Sequence, residues 1–172
     1  MTDIDLRSRF LEGMSRAATF VAVATTDGEA GRFGVTISSL TSVSADGSQP
    51  SLLACIHHLS PAAPAILRNR AFCANILQED QQQLADLFAG RACAGDHLAR
   101  FERADWMTGA LGQPLLTGAS ARFECRVATS VLWETHHIIV GNVMDVHLSE
   151  NPATLLYGQR AYRRAVQIAH HD

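Results

Sequence analysis

Hydrophobic positions follow two different periods along the chain, and the first of them is helical. Near the N-terminus, apolar residues recur at intervals of four, as they do on one face of an α-helix. This spacing predicts an amphipathic helix over residues 5–18, whose apolar face consists of Leu6, Phe10, Met14 and Ala18. Most of the remaining chain consists of shorter apolar runs, which are typical of β-strands.

Six of these runs are β-branched or alternate between apolar and polar residues, and they predict β-strands. Turn dipeptides follow the first two runs, at Asp27-Gly28 and Asp46-Gly47. The predicted strands are residues 19–26, 35–43, 51–57, 71–77, 121–129 and 137–148. The last two are close enough in sequence to form one long hairpin.

Two short helices are predicted between the strands. One covers residues 61–69, and the other begins after Asp80, a plausible N-cap, and ends at Gly90. Residues 91–114 have no clear period. Because strands outnumber helices and are connected mainly by turns, the pattern predicts an antiparallel barrel with peripheral helices and argues against a doubly wound parallel sheet.

Length and composition fit one globular domain that spans residues 1–172. The chain is 47% hydrophobic and 18% charged, with a net charge of −3, so neither disorder nor a nucleic-acid partner is expected. The N-terminal residues contain no apolar signal segment, and no apolar run approaches the length of a membrane-spanning helix. We therefore expect a cytoplasmic protein that does not bind a membrane.

The familiar motifs for metals and nucleotides are absent from the sequence. Cys55, Cys73, Cys93 and Cys125 are isolated, which indicates reduced thiols and no zinc ribbon. Neighbouring histidines in a strand point to opposite faces, so the pairs at 57–58 and 136–137 predict no metal site. There is no GxGxxG, GxSxG or P-loop motif, so a nicotinamide cofactor would not lie in a Rossmann domain.

Two segments could carry chemistry. Six of the nine residues from Thr36 to Ser44 bear hydroxyls, which a phosphate or a ribityl chain could engage, although a Ser/Thr-rich edge strand explains them equally well. Ser60 precedes Pro61 at a predicted helix start, where an anion could bind or the serine could simply cap the helix.

The order of the segments resembles a known family, the short-chain flavin reductases of two-component monooxygenases, such as the reductase component of 4-hydroxyphenylacetate 3-monooxygenase. The resemblance covers residues 8–164. It is carried by GVTISSLTSVS (34–44), PSLLACIHHLS (50–60), FCANIL (72–77), LFAG (87–90), Trp106-x-x-Gly109, Gln113-Pro114-x-Leu116-x-Gly118-Ala119, FECRV (123–127), HHIIVGNV (136–143) and LLYGQRAY (155–162).

This resemblance implies a mainly β fold, an antiparallel Greek-key split β-barrel of six strands that binds FMN (or FAD) at the interface of a homodimer. It places His136 where the nicotinamide of NADH or NADPH docks, as the candidate catalytic residue. The implied cofactor-binding residues are Thr36, Ile37, Ser38, Ser39, Ser42, Ser44, Cys55, Ile56, His57, Ser60, Phe88, Arg91 and Tyr162.

The resemblance also implies the activity, an NAD(P)H:flavin oxidoreductase that supplies reduced flavin to a separate monooxygenase. Three alternatives stay open: a reductase of another acceptor such as a cobalt corrin, a pyridoxamine-phosphate-oxidase-like enzyme, and a non-catalytic flavin- or haem-binding module. The sequence departs from the family pattern at Glu134, at His57-His58 and at Ala99, which points to a difference in nicotinamide entry or electron acceptor.

Overall fold

The computed structural model describes residues 3–90 and 96–168. The helices are α1 (Asp3–Ser15), α2 (Ala62–Asn69) and α3 (Gln82–Phe88), with a 3-10 helix at Leu98–Arg103. The strands are β1 (Thr19–Phe20), β2 (Ala22–Thr26), β3 (Phe33–Ile37), β4 (Leu40–Ser44), β5 (Ser51–His57), β6 (Ala71–Ile76), β7 (Trp106–Thr108), β8 (Pro114–Leu116), β9 (Ala121–Trp133), β10 (His136–Leu148), β11 (Leu155–Gly158) and β12 (Ala161–Arg164).

Seven antiparallel strands form the main sheet, in the order β3-β2-β6-β9-β10-β5-β4. The two edge strands, β3 and β4, are joined by only Ser38 and Ser39. Three peptide steps span at most about 11 Å, so the sheet must curl until its edges meet. The predicted antiparallel barrel with peripheral helices is therefore confirmed. The neighbours β2 and β6, and β5 and β10, are far apart in sequence, as in a Greek-key connection.

Two small sheets complete the fold. β1, β11 and β12 form one of them, and β7 pairs with β8 in the other. The long hairpin predicted from the last two apolar runs is present as β9 and β10, whose ladder runs from His136 opposite Trp133 to Leu148 opposite Ala121. Among the described residues, no helix is long and apolar enough to cross a membrane.

The core consists of two clusters, one inside the barrel and one outside it. Both form because successive side chains of a strand point to opposite faces of the sheet. Phe72, Ala74 and Ile56 belong to the cluster inside the barrel. Val23 and Phe88 belong to a second cluster between the sheet and the peripheral elements. Because β2 contributes to both clusters, all five of its residues are buried, which explains its continuous apolar and threonine-rich sequence.

The structure divides two predicted strands. Residues 19–26 form β1 and β2, which lie in different sheets, and residues 35–43 are interrupted by Ser38-Ser39 between β3 and β4. The main sheet therefore has seven strands, one more than the resemblance implies. Both interruptions occur where the chain passes from one sheet or edge to another, which hydrophobic periodicity does not reveal.

The predicted helix ends also need correction. α1 ends at Ser15, and its apolar face is exposed, with Phe10 62% accessible. The side chain of Asp80 does not cap α3, since Gln81 occupies the N-cap position without a side-chain bond. Gly90 follows α3 with a φ of 75°, so the predicted C-terminal glycine is in the left-handed conformation.

Candidate active site

Four predicted site residues line one cleft of about 140 Å³, where the end of β3 meets β11, β12 and the end of α3. The lining residues are Val21, Thr36, Ile37, Ser38, Ala89, Tyr157 and Tyr162. The structure thus brings the hydroxyl-rich segment beside the C-terminal LLYGQRAY segment, more than 100 residues away in sequence. Of the lining residues, Val21, Ala89 and Tyr157 were not expected from the sequence.

The cleft is anchored to helix α3 by two hydrogen bonds. The Thr36 hydroxyl donates to the carbonyl oxygen of Ala85 over 2.6 Å, and the Tyr162 hydroxyl donates to Oδ1 of Asp86 over 2.8 Å. The Tyr162 ring packs edge-on against Tyr157, with 5.4 Å between the ring centroids. These contacts fix the walls of the cleft and leave Ser38, which is exposed, as the hydroxyl at its open side.

Phe88 supports the cleft from behind and does not line it. Its ring is only 2% accessible and packs against Phe101 and Trp106. The ring also lies so close to Gly34 that a Cβ there would come within 2.6 Å of it. The Phe88 ring is therefore enclosed in the outer core cluster, and the predicted contact of this residue with a cofactor stays a prediction.

The Ser38-Ser39 link connects the cleft to strand β5. The Ser39 hydroxyl donates to the Cys55 carbonyl over 2.8 Å, and the Cys55 N–H donates to the Ser39 carbonyl over 3.2 Å. Beyond the link, Ser42 and Ser44 are exposed on the edge strand β4. The predicted hydroxyls of Ser38, Ser39, Ser42 and Ser44 are therefore all exposed on the segment that leads from the cleft to the sheet edge.

Strand β5 presents alternate residues to the site. Leu52, Ala54 and Ile56 point into the barrel, whereas Cys55 and His57 lie on the other face and are half-buried. Ile56 is 2% accessible, so its side chain is enclosed in the barrel, and the predicted contact of this residue with a cofactor stays a prediction. Only the backbone of Ile56 is available to the site.

Three histidines form a cluster at the end of β5 and the start of β10. His136 pairs with His57 across the ladder, and their rings meet edge-on with 4.9 Å between centroids. The ring of His58 lies 4.9 Å from that of His57. The sequence singled out each of these residues separately, but the proximity of His57 to His136 depends on the β5–β10 register, which the sequence did not provide.

Local hydrogen bonds fix the orientation of two of these rings. The Leu59 N–H donates to Nδ1 of His57 over 3.1 Å, so the neutral His57 ring carries its proton on Nε2. Nδ1 of His136 lies 2.9 Å from the Thr135 hydroxyl. Partial desolvation, and then the neighbouring His58 and His136, lower the pKa of His57 from its ordinary value of 6.5. The lowered pKa thus favours the neutral form of His57.

Ser60 does not cap helix α2 with its side chain. The N-cap position is Pro61, and no side-chain bond caps the helix. Instead, the Ser60 carbonyl accepts from the Ala63 N–H, and its own N–H donates to the His57 carbonyl, each over 2.9–3.0 Å. The half-buried Ser60 hydroxyl is therefore not used as a cap, and its predicted contact with a cofactor stays a prediction.

The β9–β10 turn carries an exposed apolar patch beside the histidine cluster. Val131, Leu132 and Trp133 are 55%, 56% and 68% accessible. Glu134, the departure from the family pattern, occupies the turn with a φ of 49°. This strained conformation is one that glycine adopts without a steric cost. Glu134 thus occupies a turn position whose backbone conformation favours glycine.

Two other sequence predictions concern Arg91 and the cysteines. Arg91, a predicted cofactor contact, and Cys93 lie outside the described residues. Cys73 and Cys125 are buried and free, as expected for reduced thiols. Burial, followed by the neighbouring Glu124 carboxylate, raises the pKa of Cys125 to about 12, so this thiol is not a nucleophile at neutral pH.

A larger cleft, of about 650 Å³, contains none of the predicted site residues. It follows the outer side of α3 and includes Asp86, Leu87, Arg103 and Leu116. Leu87 and Leu116 are buried core residues, and the cleft has no concentration of hydroxyls, imidazoles or thiols. We therefore assign the site from the convergence of chemistry around Ser38 and His136, and not from cavity size.

The donor set around the Ser38-Ser39 link fits a flavin nucleotide. Exposed serine hydroxyls at 38, 42 and 44 can bond to a ribityl chain or a phosphate, and the two tyrosine rings offer flat apolar surface. The histidine cluster lies two residues beyond Cys55 along β5, a rise of about 7 Å. A long, flat and polar-tailed molecule thus matches the chemistry of the surface.

Comparison with known families matches most of the chain to one family. The family described as "Flavin reductase like domain" matches residues 14–165. An FMN reductase (NADH) RutF of Stutzerimonas stutzeri is 35% identical over 157 residues, which cover 91% of this chain and 87% of that protein. A second such reductase, from Methylorubrum extorquens, is 38% identical over 91% of this chain and 88% of its own length.

Solved structures show the same similarity. BorF, the flavin reductase component of a bacterial two-component tryptophan halogenase, is 32% identical, with a TM-score of 0.82 over 94% of this chain and 99% of its own. The NADH:FAD oxidoreductase SgcE6 of Streptomyces globisporus, in complex with NAD and FAD fragments, is 26% identical. Its TM-score is 0.86 over 99% of both chains.

Proposed function

Since this chain belongs to the flavin reductase-like domain family, we propose that it is an NAD(P)H:flavin oxidoreductase that delivers reduced FMN or FAD to a separate oxygenase. One observation carries the proposal. The Ser39–Cys55 backbone pair joins the hydroxyl-lined cleft to the His57–His136 pair, so one continuous surface offers hydroxyls at one end and imidazoles at the other. The first end suits a flavin tail and the second suits a nicotinamide.

The residues of the chain serve mainly to bind and orient. A flavin held along the link would supply the redox chemistry, as the acceptor of a hydride from a reduced nicotinamide. Ser38 and Ser42 bond to the polar tail, while Tyr157 and Tyr162 wall the cleft against water. His136, held by Thr135 and braced by His57, orients the nicotinamide for transfer. Hydride transfer needs no strong acid or base, so His136 acts by position.

The proposed active form is a homodimer. The cleft of about 140 Å³ is smaller than the roughly 300–1,000 Å³ that small-molecule sites usually enclose. The patch Val131–Trp133 and the apolar face of α1, including Leu6 and Phe10, are exposed in the single chain. A second copy that covers these surfaces would bury apolar area and complete the wall of the site. The cytoplasm is the proposed location.

The electron acceptor distinguishes two versions of the activity. The relative BorF serves a two-component system, and such a system favours release of reduced flavin to an oxygenase. His57 and His58 could instead face a different acceptor, such as a cobalt corrin. The open side of the site, where Ser42 and Ser44 are exposed, suits release, and we give that version priority.

Consumption of NADH tests the proposed function. The purified chain is mixed with NADH or NADPH and, in turn, with FMN, FAD or riboflavin, and nicotinamide absorbance is followed in air. We expect oxidation that depends on added flavin, and a particle mass of two chains by light scattering. A cobalt corrin replaces flavin in a parallel assay without oxygen.

Three results would separate the alternatives. A yellow protein that never oxidises NADH would indicate a binding module and would contradict the enzyme. Oxidation coupled to the corrin alone would overturn the oxygenase version. Oxidation by a protein with the mass of one chain would leave the activity standing and overturn the homodimer.

A further inference from the structure

A second group of titratable side chains lies on the β9–β10 hairpin, far from the turn. Glu124 on β9 and Asp145 and His147 on β10 each offer one ligand atom, and all three atoms lie within 4.8 Å of one another. Nε2 of His147 is 2.9 Å from Oε1 of Glu124 and 3.6 Å from Oδ2 of Asp145. None of these residues belongs to the proposed active site.

The sheet brings the two carboxylates together through an irregularity in its ladder. Asp145 pairs directly with Glu124, after a register shift between Val143 and Asp145. A shift of one residue changes the face to which a side chain points, so this β-bulge directs Asp145 to the side of Glu124. Like charges directly opposite each other destabilise a sheet. The pairing therefore favours a cation between them.

The burial of Glu124 makes a positive or hydrogen-bonding partner favourable at this point, and His147 lies in that position. The side chain of Glu124 is 0% accessible, although Asp145 and His147 remain partly exposed. A buried carboxylate must be paired or bonded to be tolerated. Among the residues at 3–90 and 96–168, no arginine lies within 4 Å of either carboxylate, and the ion-pair partner of both is His147.

The segment between β7 and β8 binds one carboxylate oxygen of Glu124, and the other oxygen faces Asp145 and His147. The Leu111 N–H donates to Oε2 over 3.0 Å, while Oε1 points to His147. Gly109 lies against the carboxylate, where a Cβ would collide with Oε2. Bonding of the outer oxygen by the protein is how carboxylate ligands are usually oriented at metal sites.

We propose that Glu124, Asp145 and His147 form a binding site for a first-row divalent cation such as Mn²⁺ or Zn²⁺. Two carboxylate oxygens and one imidazole are donors that both cations accept. Donor atoms around a cation at about 2.1 Å lie about 3.0–3.5 Å apart, close to the spacing of the His147 contacts. Binding replaces the proton on Nε2 and neutralises both carboxylates. The exposed side of Asp145 leaves room for water ligands.

Mn²⁺ binding to the full chain without a histidine tag tests the site. The EPR signal of free Mn²⁺ is followed during titration, and we expect one saturable site per chain. Asp145→Asn and His147→Gln should each weaken binding at least tenfold. Asp96→Asn is the matched control, because Asp96 is an exposed aspartate 3.3 Å from His97, and binding should not change.

Two more measurements distinguish this cluster from the histidines near the turn. His58→Asn should leave Mn²⁺ binding unchanged, because oxygen-rich sites suit Mn²⁺ better than imidazoles alone. In wild type, Mn²⁺ should broaden the NMR signals of His147 before those of His57 and His136, a test that needs no variant to fold. The absence of a saturable site, equal binding by Asp145→Asn, or broadening at His136 first would each overturn the proposal.

Discussion

The β9–β10 hairpin carries titratable clusters in two places, and their surroundings are opposite. Near its turn, the rings of His57, His58 and His136 face outward beside exposed apolar residues. Far from the turn, Glu124 is fully buried, bonded to Leu111 and covered by the β7–β8 hairpin. The chain itself encloses Glu124 of the second cluster, whereas the surroundings of the first cluster remain open.

This difference in enclosure separates residues that stabilise the fold from residues that are free to contact a cofactor, a substrate or a second chain. A substitution that displaces or removes an enclosed side chain leaves a buried unpaired charge or causes a steric clash. Substitutions around Glu124 should therefore lower the free energy of unfolding. An exposed side chain that other parts of the chain do not cover contributes little to stability. Changes at the turn should therefore alter catalysis and leave the fold intact.

The largest effect is expected at the covered end, from Gly109→Ala. The added Cβ would displace the Glu124 carboxylate and the buried Leu115 side chain, and overpacking of this kind typically costs about 1–3 kcal/mol. We expect a loss near the upper end of that range by urea unfolding. Gly13→Ala is the control, since nothing lies within 4 Å of its Cβ position. Equal stability of the two variants would contradict the close packing at Gly109.

At the open end, His136→Ala should reduce catalysis without affecting stability. We expect kcat/KM for NADH to fall roughly tenfold, which corresponds to about 1.4 kcal/mol of transition-state stabilisation. The urea midpoint and the flavin affinity should not change. His137→Ala is the matched control, because its side chain points to the other face of β10. Unchanged kinetics in the His136 variant, or an equal loss in both variants, would refute the positioning role.

The smallest effect concerns the titration of the histidine cluster. Because the pKa of His57 is lowered in the folded protein, the contribution of this residue to stability is present above pH 6.5. It is lost as the pH falls from there through the folded-state pKa. Protonation of Nδ1 also removes the bond from Leu59. NMR titration should give a pKa below 6.5 for His57. The variant His58→Asn should raise this pKa, because it removes a neighbouring positive charge. A midpoint at or above 6.5 would contradict the packing of the cluster.

Much of the fold could be predicted from the sequence, because apolar and polar residues alternate regularly in the strands that form the core. Strand β5 was predicted with its bounds unchanged. On β9, the apolar residues Phe123, Cys125 and Val127 alternate with polar ones, and the structure packs them in the inner cluster. The break at Ser38-Ser39 was missed, since a barrel corner changes the direction of the chain without interrupting its β-branched composition. Strand register, which places His57 against His136, depends on pairings between distant segments.

The candidate site was predictable only in part, for a related reason. Hydroxyl content and the family resemblance identified Thr36 and Tyr162, which share the cleft. Both Phe88 and Ile56 were assigned to the cofactor, but the structure encloses their side chains, because which face of an element is covered depends on its packing partners. Tyr157 became part of the site only through its ring contact with Tyr162.

The central claim is that the chain moves electrons from a reduced nicotinamide to a flavin, and one anaerobic experiment tests it most directly. The purified chain, with FMN or FAD added in equal amount, is mixed rapidly with excess NADH or NADPH while the yellow flavin absorbance is recorded. We predict bleaching within a single turnover, much faster than in a mixture without protein. Bleaching at the uncatalysed rate with every flavin and both nicotinamides would contradict the account.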